Sequence, residues 1–124
     1  MLVAMRARDL MQRHFVGVSR TTTVASALKL ASSAKVDLMP VLDGQRLCGL
    51  AITSDLELHR DASAQVDAVM RNPVYVNAES DVSSATGVMI EHGIARVPVV
   101  EDRISMICVG MLTSTDIVNA SKKR

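Results

Sequence analysis

Aromatic side chains are nearly missing from this sequence: one Phe, one Tyr and no Trp among 124 residues. Without them there is no stacking platform for single-stranded nucleic acid. Any core must be built from Val, Leu, Ile, Ala and eight Met. An excess of one charge is missing too. The formal net charge is +1, so no general field favours DNA or an anionic membrane. No apolar run approaches the roughly 18 residues of a membrane span, and Met1–Arg6 is too short for a signal peptide. The two cysteines, Cys48 and Cys108, form no C-x-x-C pair and lie inside apolar runs. They read as small buried hydrophobes in a reducing cytoplasm rather than as a disulfide. His14, His59 and His92 are scattered, so no zinc site is expected. There is no G-x-S-x-G, no nucleophile–base spacing and no G-x-x-x-x-G-K-[ST], and nothing points to catalysis. The tail Lys122-Lys123-Arg124 reads as a solvated end whose three charges give only weak nucleic-acid affinity.

What is present is a folded chain, 48% hydrophobic and 22% charged, that repeats itself. Displaced by 58 positions, Val16-Gly17-Val18 falls on Val74-Tyr75-Val76, Val24 on Val82, Ala27 on Ala85, and Met39-Pro40-Val41-Leu42-Asp43 on Val97-Pro98-Val99-Val100-Glu101. After three extra residues, Cys48-Gly49-Leu50 falls on Val109-Gly110-Met111 and Asp55-Leu56 on Asp116-Ile117. Upstream, Leu10-Met11 falls on Val69-Met70 at a shift of 59.

Each copy reads as β-α-β-β-α. A β-branched stretch (Val16–Val18; Val74–Val76) is followed by a Thr/Ser/Asp cluster able to cap a helix. Apolar residues then recur at helical spacing, Val24, Ala27, Leu28 and Ala31 in one copy and Val82, Ala85, Val88 and Met89 in the other. Gly93 suits a left-handed stop. Copy one has Lys35 there, so its helix is expected to end differently. Two strands follow, Leu38–Leu42 and Leu47–Ile52, turned at Asp43-Gly44. In copy two the turn is Glu101-Asp102-Arg103 and the second strand is expected over Ile104–Thr113. A short helix then starts near Ser54 or Ser114. A linker over His59–Gln65 separates repeat 1, residues 1–62, from repeat 2, residues 63–124.

An apolar-x-Pro-Val-apolar-acid strand followed by Gly-apolar-apolar-[Ser/Thr]-x-x-Asp resembles the CBS domain, which occurs in tandem as the Bateman module. Copy two carries Arg96-Val97-Pro98-Val99-Val100-Glu101 and Gly110-Met111-Leu112-Thr113-Ser114-Thr115-Asp116. Copy one departs at Ile52, where a hydroxyl is expected. The resemblance implies an α+β fold of two repeats packed as one pseudo-two-fold domain. It further implies a regulatory, non-enzymatic module in the cytoplasm, dimerising as a homodimer and signalling to a regulated partner protein. The implied ligand is adenosine-containing, an adenine nucleotide or S-adenosylmethionine, held between the repeats. For the Asp116 and Thr113 site the resemblance assigns Val16, Gly17, Val36 and Leu38 to the adenine and Arg96 to phosphate. For the Asp55 site it assigns Tyr75, Val74, Ile94, and Arg96 or Ala95.

The chemistry agrees with such a ligand. One carboxylate can accept from both ribose hydroxyls, Asp116 opens a helix whose dipole favours its charge, and Thr113 adds a hydroxyl. The amides between them can meet a phosphate, and Arg96 offers a planar fork. With Ile52 in place of a hydroxyl and Leu38 in place of an arginine, the Asp55 site reads as the weaker one. The competing possibility is that Ser/Thr/Asp at a strand-to-helix junction is only a helix cap. The chain would then be a ligand-free dimerisation or interaction scaffold.

Overall fold

The computed structural model describes residues 5–122. Residues 1–4, which hold most of the segment weighed as a signal peptide, and Lys123 and Arg124 of the basic tail lie outside them. The chain divides into two compact units. One is Val16–Pro73; the other joins the residues up to Phe15 with those from Val74 onward. Repeats and compact units are therefore different partitions of the chain. The segment before each repeat's first strand belongs to the unit built on the other repeat.

In the unit Val16–Pro73, the order is β1 (Val18–Ser19), α2 (Val24–Ala34), β2 (Leu38–Asp43), β3 (Arg46–Ile52) and α3 (Thr53–Leu58), then a 3-10 turn at Val66–Ala68. The other unit opens with α1 (Ala7–Leu10) and continues with β4 (Val76–Asn77), α4 (Val82–His92), β5 (Arg96–Val100), β6 (Cys108–Thr113) and α5 (Ser114–Lys122). The α+β class and the twofold β-α-β-β-α order are thus as read. Each sheet has three strands, a parallel pair linked by the long helix and an antiparallel hairpin. Pairing starts later than the sequence suggests, at Val18 and Val76 rather than Val16 and Val74.

The long helices follow their apolar period. Val24, Ala27 and Ala31 of α2, and Ala85 and Met89 of α4, are buried. Thr23 Oγ1 accepts from the Ser26 amide at 3.1 Å and Asp81 Oδ1 from the Ser84 amide at 2.7 Å, which caps both. Each core is the other's counterpart. Val18, Ala27, Ala31, Met39, Val41, Ala51 and Val66 fill one; Val76, Ala85, Met89, Val97, Val99, Leu112 and Ala7 fill the other.

Two expectations need correction. The helix of copy one ends as that of copy two does: Lys35 takes φ 58° and Gly93 φ 64°. In both, the residue after the turn donates back to the last helical turn, Val36 to the Ala31 carbonyl and Ile94 to that of Met89, each at 3.0 Å. Val36 packs half-buried against the core of its unit, which works against the cost of a left-handed lysine. The second strand of copy two does not begin at Ile104. Asp102 accepts from the amides of Ile104 and Ser105, and Met106 turns left-handed at φ 55°, so the first cross-strand bond is that of the Glu101 amide to the Ile107 carbonyl and the strand runs from Cys108. Lys35→Gly should raise stability by about 0.5–1 kcal/mol, read as a higher urea midpoint at unchanged slope. A lower midpoint would show that the lysine stem packs.

Candidate functional site

Leu50 of β3 and Met111 of β6 carry the construction of both candidate sites. Each exchanges two backbone hydrogen bonds with a residue outside the sheet: Leu50 with Arg71 at 2.9 and 2.9 Å, Met111 with Gln12 at 2.7 and 3.0 Å. Their N–H and C=O groups therefore point away from the neighbouring strand. Their cross-strand partners, Pro40 and Pro98, sit in non-hydrogen-bonded pairs, where a proline costs that ladder nothing. The strap so formed crosses the preceding glycine closely. A Cβ on Gly49 would lie 2.5 Å from Met70 Sδ and 2.9 Å from the Arg71 carbonyl; on Gly110 it would lie 2.7 Å from Met11 Sδ and 2.9 Å from that of Gln12. No other residue fits under the strap without moving it.

Beyond the strap each strand runs into a helix, and the two junctions differ. Thr113 is 9% exposed and forms a reciprocal cap with Asp116. The Thr113 amide donates to Asp116 Oδ2 and the Asp116 amide to Thr113 Oγ1, both at 3.0 Å. Gln12 Nε2 adds donations to the two carboxylate oxygens at 3.1 and 3.3 Å. At the other junction Ile52 offers no side-chain cap. Asp55 is gripped by Arg71 through Nε to Oδ2 at 2.6 Å and Nη2 to Oδ1 at 2.9 Å. The guanidinium holds the Asp55 carboxyl below its ordinary value of 3.8.

Within the unit that ends the chain, the structure brings together Asp116, Thr113 and Arg96, the last opposite Thr113 across the β5–β6 ladder. Tyr75 lines a separate cavity of about 700 Å³ with Asn77, Glu79, Glu101 and Asp102. Val16, Gly17, Val36, Leu38 and Asp55 belong to the unit Val16–Pro73. Val16, Gly17 and Val36 are half-buried, and Leu38 is buried. Of the amides between Thr113 and Asp116, expected to meet a phosphate, that of Ser114 donates instead to the Ala95 carbonyl at 2.8 Å; the flanking amides of Thr113 and Asp116 are taken by the cap. Sequence reasoning missed Gln12 and Arg71. The Met11-on-Met70 register, carried one residue further, aligns them, but only the fold shows that both reach the helix-start carboxylate.

The cysteines are both free, and burial pushes the Cys108 thiol up to about 11, which leaves it protonated at neutral pH. Among the described residues no three of His, Cys, Asp and Glu converge as metal ligands. Among them too, no helix is long and apolar enough to cross a membrane.

Because Asp55 titrates lower folded than unfolded, its pair stabilises the fold above pH about 3.8, and that contribution is lost as the pH falls through the folded value. Carboxyl-carbon NMR should find the Asp55 midpoint below 3.8, returning toward that value in Arg71→Gln. The stability gap between the two proteins should close in acid. An unchanged midpoint in the variant would remove Arg71 as the cause.

Comparison with known proteins places the fold. The chain aligns with an inosine-5'-monophosphate dehydrogenase of Thermoplasma acidophilum at 24% identity over 94% of its own length, but spans only 24% of that enzyme. The CBS domain pair of protein MJ0100, solved with 5'-methylthioadenosine and S-adenosyl-L-methionine, superposes with a TM-score of 0.83 at 21% identity, over 98% of this chain and 100% of that one. CBSX2, solved with AMP, superposes with a TM-score of 0.82 at 25% identity, over 95% and 96%. The CBS domain family model matches residues 7–56 and again 66–123. With two copies of its motif carried on two strand–helix junctions of one design, the chain belongs to the CBS domain family.

Proposed function

We propose that this chain is a regulatory module that binds an adenosine-containing ligand, an adenine nucleotide or S-adenosylmethionine, and passes its occupancy to a partner protein. The observation that carries this is the Asp116 junction. Its carboxylate is half-buried, oriented by Thr113 and by the neutral amide of Gln12, and its charge is not cancelled by a cation among those partners. A carboxylate has about four lone-pair positions; Thr113 and the split Gln12 amide take three of them, so a vicinal diol is accepted as the single uncharged Gln12 donor yields its place. Arg96, opposite Thr113 across the β5–β6 ladder, would supply a guanidinium for a phosphate. That CBSX2 is solved with AMP at 25% identity supports the ligand class. Signalling follows from differential affinity: the ligand favours one conformation and the partner responds to it.

AMP, adenosine or S-adenosylmethionine at a hundred times its dissociation constant should stabilise the protein by about 2.7 kcal/mol, seen as a raised melting temperature. Asp116→Asn keeps an acceptor for the cap but loses the charge. It should retain the fold while weakening binding by tenfold or more, by analogy with a lost charged hydrogen bond. Unchanged affinity would leave Asp116 as a helix cap alone.

A second reading, dimerisation, is favoured by a specific surface. α4 and α5 border an apolar groove of about 420 Å³ lined by Met89, Ile94 and Ile117, with Ile90 75% and Val118 50% exposed. A surface of this kind suits association. Sedimentation should find a dimer that Ile90→Lys with Val118→Lys converts to monomer. A monomer in the unmodified protein would dismiss this reading without touching the first.

A further inference from the structure

The two helix-start carboxylates occupy the same place in their units but face different strap residues. Arg71 presents two N–H groups to the two oxygens of Asp55 at 2.6 and 2.9 Å. This fork is the donor pattern that a ribose, with its two adjacent hydroxyls, would present to the same oxygens. Gln12, at the equivalent strap position, brings one uncharged amide nitrogen, split between the oxygens of Asp116 at 3.1 and 3.3 Å. Both strap residues are pinned by their backbones to the sheet edge, so their side chains start from equivalent anchors. The Arg71 side chain is 58% exposed, so it can swing away at modest cost.

We propose that the strap residue selects which site is open: Arg71 is a built-in competitor that closes the Asp55 site to a ribose, while Gln12 leaves the Asp116 site available. This rests on the reading of these carboxylates as ribose acceptors. It adds a device that the family motif does not contain, because the selecting residue lies outside both motif segments, 16 positions beyond Asp55 and 104 before Asp116. A bidentate guanidinium and a vicinal diol both approach a carboxylate end-on across its two oxygens, so one displaces the other; the charged Arg71 fork resists displacement more than the single neutral Gln12 donor does. Occupancy of the Asp55 site therefore requires Arg71 to leave, and the two sites of one chain differ in affinity even where their motifs agree.

The test is calorimetric titration with AMP and with adenosine, with circular dichroism confirming the fold of each variant. In an Asp116→Asn background, Arg71→Gln should tighten binding about fivefold, the upper end of what an exposed ion pair contributes. In an Asp55→Asn background, Gln12→Arg should weaken it by a similar factor. If AMP binds through Asp116 but neither strap substitution moves affinity by as much as twofold, the competitor role is overturned and the binding reading survives. Weaker binding in Arg71→Gln also overturns it, by making Arg71 a ligand contact. If the unmodified protein binds no AMP but Arg71→Gln does, the competitor role stands and the Asp116 site falls. Binding by neither overturns both.

Discussion

A pair of backbone hydrogen bonds sets the rest of each unit in place: Leu50 with Arg71, and Met111 with Gln12. They close the outer edge of a three-stranded sheet, which would otherwise expose unpaired amide groups. By turning the polar groups of Leu50 and Met111 outward, they create the non-hydrogen-bonded positions that Pro40 and Pro98 occupy. By lying close over the sheet they require Gly49 and Gly110. The proline in one strand and the glycine inside the next both suit this one contact. The strap and the motif are distant in sequence and meet only when folded.

The same contact delivers a side chain to the helix start, and there the repeats part. Copy two has a threonine at the cap and a glutamine on the strap, so its aspartate is oriented by neutral groups. Copy one has an isoleucine at the cap and an arginine on the strap, so its aspartate is neutralised. The differences are coupled in physical terms. A carboxylate that lacks a reciprocal cap has two oxygens free to accept a bidentate cation. One carboxylate has neutral hydrogen-bond partners and the other is paired with a cation of its own unit.

The cores show how two units can diverge and keep one shape. Ala31, Met39, Ala51 and Val66 in one stand where Met89, Val97, Leu112 and Ala7 stand in the other. Larger side chains at two positions, Met89 and Leu112, are partly offset by smaller ones at the other two, Val97 and Ala7, which leaves the second core larger by the difference between a leucine and an alanine. With almost no aromatics available, the adjustment falls to Met, Leu and Val, which fill gaps by length and branching.

Much of this was legible along the chain. Periodic apolar residues, the caps Thr23 and Asp81, and the aligned Pro, Gly and Asp of the two copies determine the element order and the place of the helix-start carboxylates, because those signals act over a few residues. The left-handed Lys35 was not legible, because lysine has no local preference for that conformation. It adopts it where the chain turns back, with the Val36 amide donating to the Ala31 carbonyl and Val36 packed half-buried against the core. Nor was the late start of β6, where a side-chain turn at Asp102 competes with pairing. The fate of each carboxylate lay wholly beyond local reading. Whether an aspartate three residues into a helix caps, binds or pairs depends on what a distant segment brings to it, and only tertiary structure lays Gln12 beside Asp116 and Arg71 beside Asp55.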